Sequence, residues 1–138
     1  MQRQESKVMK DIIIKKELKA SQSMMLGYMQ DLIGELLAIE IKAVEKKGDK
    51  EHLKTLRQNR DAVKSVFNNC KYEFRSHNPV EVTRGALVDF KAIIDWVISC
   101  LNGKEFQKET IDWYRHDCFC GYYRDINIGS TLVEEMLG

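Results

Sequence analysis

The stretch GALVDFKAIIDWVISCLNG, Gly85–Gly103, is apolar over most of its length. Lys91, Asp95 and Ser99 recur within it every four residues, so in a helix they form one narrow polar stripe on an otherwise apolar surface. This pattern predicts a central core helix. The stretch is too short and too charged for a membrane span, which needs about 20 apolar residues. If the stripe faces other helices, Asp95 needs a partner, and Lys91 and Arg60 are the candidates.

The sharpest local signal precedes that stretch, at Asn78-Pro79-Val80-Glu81. Asparagine can cap a helix, proline suits the first helical position, and the glutamate can reach back as in a capping box. At the other end, Asn102-Gly103 places a glycine just past a helix C-terminus. The predicted central helix therefore covers about 79–102.

Two amphipathic helices are predicted before it. The apolar residues between Met24 and Lys47 keep a three-and-four spacing, and Ser21 or Ser23 can cap the helix they form. Gly48 can end this helix in a left-handed conformation, and Asp49 can cap the next one. The second helix has a seam with coiled-coil spacing, formed by Leu53, Leu56, Arg60, Val63, Phe67 and Cys70. Together these helices predict an antiparallel hairpin over about 23–70.

The flanking segments complete an all-α, single-domain bundle of about five helices over 1–138. Residues 1–5 are expected to be disordered, and 5–20 suit either a basic helix or a short strand. An aromatic-rich helix is predicted within Lys104–Arg124, then a loop at Asp125–Gly129. A short final helix begins at Ser130 or Thr131.

Composition removes several functional classes. The 138 residues carry 22 basic and 21 acidic side chains, so no global field attracts nucleic acid or an anionic membrane. No apolar segment of a secretory signal starts the chain, so a cytoplasmic location is expected, with Cys70, Cys100, Cys118 and Cys120 as thiols. The glycines form no phosphate-binding loop, and no cofactor is expected.

Metal chemistry has two candidate ligand sets. The first is His116 with Cys118 and Cys120, whose residue types suit zinc. Their spacing is narrower than the usual Cys-x(2–4)-Cys, so free cysteines are the favoured interpretation. A nucleophilic cysteine beside His116 is the remaining alternative. The second set is the carboxylate pair Asp31 and Glu35, which could hold Mg²⁺ together with carboxylates of adjacent helices such as Asp89 and Asp95 on the central helix.

The segment DLIGELLAIE, which contains Asp31 and Glu35, resembles the first acidic helix of the all-α nucleotide pyrophosphohydrolases of the MazG type. Those enzymes carry a Glu-x-x-Glu and then a Glu-x-x-Asp, whereas Asp31 and Glu35 are four residues apart. The second motif is absent from the rest of the hairpin and from the central stretch. The resemblance implies a Mg²⁺-dependent hydrolase as one alternative function.

Nucleic-acid binding is the second alternative. Residues 42–64 hold eight basic and four acidic side chains around the hairpin tip. The candidate contacts are Lys46, Lys47, Lys50, Lys54, Arg57 and Lys64. The interspersed acids and the lack of aromatic platforms favour a solvated helix face. Arg60 is expected to reach water, Glu35 or Glu40; alternatively it fixes the register of the hairpin or binds an anion.

The favoured hypothesis is a regulatory protein that binds other proteins without catalytic chemistry. The helices carry more apolar surface than a small monomer easily covers, so sharing with a second copy is expected. The predicted contact residues are Met24, Met25, Tyr28 and Met29 near the start of the hairpin, and Trp113, Tyr114 and Tyr122 in the aromatic region.

Overall fold

The computed structural model describes residues 15–67, Phe74, 80–103, 105–116 and 122–138. Two short strands and five helices occur in these ranges, and their order along the chain is β1 Lys15–Leu18, α1 Ala20–Glu45, α2 Lys50–Ser65, β2 Val80–Thr83, α3 Arg84–Asn102, α4 Lys108–His116 and α5 Tyr122–Leu137. The all-α helical bundle is confirmed, with a small sheet added to it. None of the described helices is long and apolar enough to cross a membrane.

The hairpin turn is as predicted. Gly48 has a φ of 76°, and the Asp49 side chain accepts a hydrogen bond from the His52 backbone N–H at 3.2 Å. The start of α1 differs from the prediction. The helix begins at Ala20, after Lys19, whose N–H donates to the Gln22 side chain at 2.9 Å, so neither Ser21 nor Ser23 is the cap.

The predicted start of the central helix at Pro79 is wrong. Val80–Thr83 forms a strand that pairs antiparallel with β1, with Leu18 opposite Val80. Val80 and Val82 are buried and Glu81 is exposed, which is the alternation of a half-buried strand. The α3 helix begins at Arg84, and the hydroxyl of Thr83 caps it by accepting the Ala86 N–H at 3.1 Å. Asn78 and Pro79 lie outside the described residues, as do residues 1–5.

The predicted loop at Asp125–Gly129 is also wrong. The α5 helix is continuous from Tyr122 to Leu137, so no separate final helix begins at Ser130 or Thr131. Within the described residues the aromatic helix covers Lys108–His116, and residues 105–107 before it are not helical. A tertiary contact explains the helical Gly129: its lack of a side chain lets α5 approach the buried Met29 of α1.

The α1 and α3 helices supply most of the buried side chains of the core. The α1 helix packs against β1, α2, α4 and α5, and α3 packs against α2, β2 and α5. Three phenylalanine rings pack edge to face in the core. The ring centroid of Phe67 lies 5.1 Å from that of Phe90 and 5.3 Å from that of Phe74.

The polar stripe of α3 faces α5. The Lys91 ammonium lies 2.7 Å from Asp95 and 3.6 Å from Glu134 of α5, and the Ser130 hydroxyl donates to Asp95 at 3.0 Å. Asp95 therefore has Lys91 as its charged partner, one of the two predicted candidates. Arg60, the other candidate, instead lies 3.5 Å from its neighbour Asp61, and not against Glu35 or Glu40.

Candidate binding surface

Three of the four exposed large apolar side chains in the described part of the chain lie on α1 and α5, around one hydrogen bond between these helices. In the described part of the chain, the exposed large hydrophobic residues are Met24 (42%), Tyr28 (41%), Val88 (41%) and Ile128 (44%). The Tyr28 hydroxyl donates to Asp125 of α5 at 2.6 Å. Met24 lies one turn before Tyr28 on α1, and Ile128 lies one turn after Asp125 on α5. We refer to Met24, Tyr28 and Ile128 as the apolar face.

The predicted contact residues have different environments. Met24 and Tyr28 are exposed, while Met25 and Trp113 are half-buried against the core. Met29 is fully buried because it packs against Gly129, so it cannot meet a partner in this fold.

The side chains of Tyr114 and Tyr122 lie outside the described residues. Ile128 was missed because its segment resembles a loop. Its spacing from Asp125 and Leu132 would reveal it once that segment is taken as a helix.

The basic hairpin face is largely solvated. The side chains of Lys46, Lys50, Lys54 and Lys64 are exposed, and no ion pair engages them within the described residues. Arg57 pairs with Glu45 at 3.0 Å, and Lys47 donates to the side chain of Gln107. Nucleic-acid binding by this face stays a prediction.

The carboxylates proposed for Mg²⁺ do not form a cluster. Asp31, Glu35 and Asp89 are exposed, and Asp95 is paired with Lys91. Nowhere in the described ranges do three His, Cys, Asp or Glu side chains come close enough to hold a metal ion. The zinc set falls beyond those ranges, because Cys118, Cys120 and the His116 side chain are outside them. Cys70 and His77 are outside them as well.

An open cleft of about 610 Å³ lies between the end of α2 and the start of α3. It is lined by Ala62, Ser65, Val66, Thr83, Gly85, Ala86, Asp89, Ala92 and Ile93. Asp89 is the sole titratable residue among the described residues of this lining.

A buried carboxyl group joins three helices. Glu40 of α1 is fully buried, and its Oε1 accepts hydrogen bonds from the Gln107 N–H at 2.8 Å and the Thr110 hydroxyl at 2.7 Å. These groups lie at the N-terminus of α4, where a carboxylate is favoured by the helix dipole. Its Oε2 lies 3.6 Å from Nε2 of His52 on α2. Glu40 therefore fixes α4 to the hairpin.

Sequence reasoning assigned Glu40 no role beyond a possible partner of Arg60. The sequence does indicate that Glu40 is buried, because it follows the three-and-four spacing of the buried residues Leu36, Leu37 and Val44 on α1. A charged residue at such a position is buried only when it is paired.

The thiol of Cys100 has low reactivity. It is buried at the end of α3 and donates to Oε2 of Glu105 at 3.6 Å. Burial first, then the negative charge of Glu105, its hydrogen bond and the charge of Glu40 raise the thiol pKa from 9.0 to about 12. The reactive thiolate is therefore rare at neutral pH.

We expect Cys100 to resist alkylation in the folded protein. In a variant with Cys70, Cys118 and Cys120 replaced by serine, iodoacetamide should react slowly at pH 8 and at an ordinary rate in denaturant. Between pH 9.0 and about 12 the unfolded chain loses the thiol proton while the folded chain keeps it, so stability should fall as the pH rises through this window. Fast labelling of the folded protein at pH 8 would contradict the buried, hydrogen-bonded thiol.

These observations define an all-α helical bundle with a small antiparallel sheet and an apolar surface face, and its described part contains no cluster of potential metal ligands. No protein-family model matches the chain, and comparison with curated proteins and with solved structures gives no significant match either.

Proposed function

We propose that this protein is a non-catalytic binding module that associates with a second copy of itself through the apolar face. The observation that carries the proposal is the clustering of exposed apolar side chains: Met24, Tyr28 and Ile128 all lie within one helical turn of the Tyr28–Asp125 hydrogen bond. Scattered apolar residues are normal on a protein surface, whereas a cluster indicates an interaction site.

The chemistry of the face suits an interface. The hydroxyl of Tyr28 is held by Asp125, so its ring loses little freedom on binding. Methionine is flexible and polarizable, and it adapts to a partner surface. Tyrosine and methionine are both enriched at interfaces.

The charges beside the face favour a second copy as the occupant. Arg124 of α5 is exposed, with its Nε 3.9 Å from Asp125 of the same chain, and Asp31 is exposed three residues after Tyr28 on α1. The rim therefore carries both signs of charge. In a two-fold arrangement the face of one copy meets the same face of the other, and a rim that carries both signs of charge is compatible with such self-association.

We further propose a regulatory role in the cytoplasm. Cys100 is a free thiol, which is compatible with a reducing compartment. We propose this role because a protein that binds a partner without catalysing a reaction can act by controlling that partner.

Light scattering at micromolar concentration tests the proposal. The wild-type protein is expected to have twice the mass of one chain, and Met24→Glu should weaken the dimer at least about tenfold because it places a charge in a desolvated contact. Val88→Glu is the matched control, since Val88 is exposed to the same degree but lies on α3. A monomer at every concentration, or equal weakening by both variants, would refute self-association through this face.

A further inference from the structure

A small apolar pocket opens beside α4, away from the residues of the apolar face. Its volume is about 330 Å³, and it is lined by Phe106, Lys108, Ile111 and Arg115. This volume is at the lower end of the range for small-molecule sites, about 300–1,000 Å³. Lys108, Ile111 and Arg115 are three and four residues apart, so they share one face of α4. We call this depression the α4 pocket.

The floor of the α4 pocket is held in place on both sides. The ring of Phe106 is buried and packs edge to face on Trp96 of α3, with centroids 6.0 Å apart. The preceding Glu105 N–H donates to the Cys100 carbonyl at 2.9 Å, and the following Gln107 N–H donates to Glu40 at 2.8 Å. A floor fixed in this way is preformed, so a ligand need not order it on binding.

The rim of the pocket carries two cationic side chains that form no direct ion pair with the described residues. Lys108 and Arg115 are exposed, and neither has an ion pair or hydrogen bond with any other described residue. Asp112 lies on the same helix within a turn of both, yet it forms no ion pair with either. The two cations flank Ile111, and their backbone positions are about 10 Å apart along the helix axis.

We propose that the α4 pocket binds an amphipathic anion: an apolar chain or ring that carries one carboxylate. The apolar part lies on Phe106 and Ile111, where burial of apolar surface provides affinity. The carboxylate lies between Lys108 and Arg115, and the planar guanidinium can donate two parallel hydrogen bonds to it. This site is separate from the proposed dimer contact and needs no second copy.

Titration with decanoate tests the proposal, with calorimetry for affinity and amide NMR for location. Decanoate is expected to bind saturably and to shift the signals of Ile111, Arg115 and the Trp96 indole. Decanol and acetate, which lack the charge or the chain, should each bind at least about tenfold more weakly.

Neutral variants identify the site. Arg115→Gln and Lys108→Gln should each weaken decanoate about tenfold, since each removes one charge-assisted contact. Lys64→Gln removes the same charge from an exposed site on α2 and should leave the affinity unchanged. All three positions are exposed, so the fold should be retained, and circular dichroism checks this. The proposal would be overturned if decanoate did not saturate the protein or if decanol bound as tightly as decanoate. It would also be overturned if Lys64→Gln weakened binding as much as Arg115→Gln, or if decanoate shifted only the NMR signals of the apolar face.

Discussion

Replacing Glu40 with alanine is expected to lower the free energy of unfolding by about 3 kcal/mol. The change removes the acceptor for the Gln107 N–H and the Thr110 hydroxyl, and Thr110 is fully buried. Each buried donor left without a partner costs about 1–3 kcal/mol. Urea unfolding followed by tryptophan fluorescence measures the loss, and amide exchange should show weakened protection throughout α4, which carries Trp113.

Glu45→Ala is the matched control for this prediction. Glu45 lies on the same helix and pairs with Arg57 at 3.0 Å, but both side chains are about half exposed. An exposed pair contributes at most about 1 kcal/mol. Glu40→Gln should fall between the two, because an amide oxygen can still accept both hydrogen bonds. Equal losses for Glu40→Ala and Glu45→Ala would show that Glu40 does not hold α4 to the hairpin.

Gly129→Ala is expected to lower the free energy of unfolding by about 2 kcal/mol, although alanine is the better helix former. A Cβ at this position would lie 2.8 Å from Cγ of Met29 and closer still to the sulfur. Met29 is fully buried, so it has little room to move aside. The resulting overpacking should exceed the helix-propensity gain of about 1 kcal/mol.

Gly129→Ala is expected to destabilise the protein only because Met29 lies close to the new Cβ. Two control substitutions test this. Gly34 lies inside α1, and a Cβ there would meet nothing within 4 Å. Gly34→Ala should therefore stabilise the protein by about 0.5–1 kcal/mol. In a Met29→Ala background, Gly129→Ala should stabilise it as well. Thermal or urea unfolding of the four variants measures both effects, and a stabilising Gly129→Ala in the wild-type background would contradict the close contact.

Features that depend on neighbouring residues could be predicted from the sequence. The turn at Gly48-Asp49 needs a left-handed glycine and a capping carboxylate, both of which are local properties. The buried faces of α1 and α3 follow their own periodicity. These elements account for the confirmed helical bundle.

Features that depend on distant residues could not be predicted. Val80–Thr83 carries helix-start signals, yet it becomes a strand because it pairs with Lys15–Leu18, more than sixty residues earlier. Asp125–Gly129 has the composition of a loop, but Tyr28 and Met29 of α1 stabilise it as helix.

In the candidate site, too, some features could be predicted from the local sequence and others depend on distant residues. The burial of Met29 agrees with the apolar periodicity of α1, whereas Tyr28 belongs to the same pattern yet is exposed and donates to Asp125 of α5. Ile128 could be added to the face only after α5 was known to be continuous. The role of Glu40 in holding α4 to the hairpin could not be predicted, because its hydrogen-bond partners are 67 and 70 residues away in the sequence.

Intermolecular NMR contacts in a sample of two differently labelled copies test the self-association proposal most directly. One copy carries labelled methionine and isoleucine methyl groups, and the other carries labelled tyrosine rings. We predict cross-peaks between copies that join the methyl groups of Met24 and Ile128 to the ring of Tyr28. The absence of any cross-peak between copies, or cross-peaks that involve only residues outside the apolar face, would contradict the proposed interface.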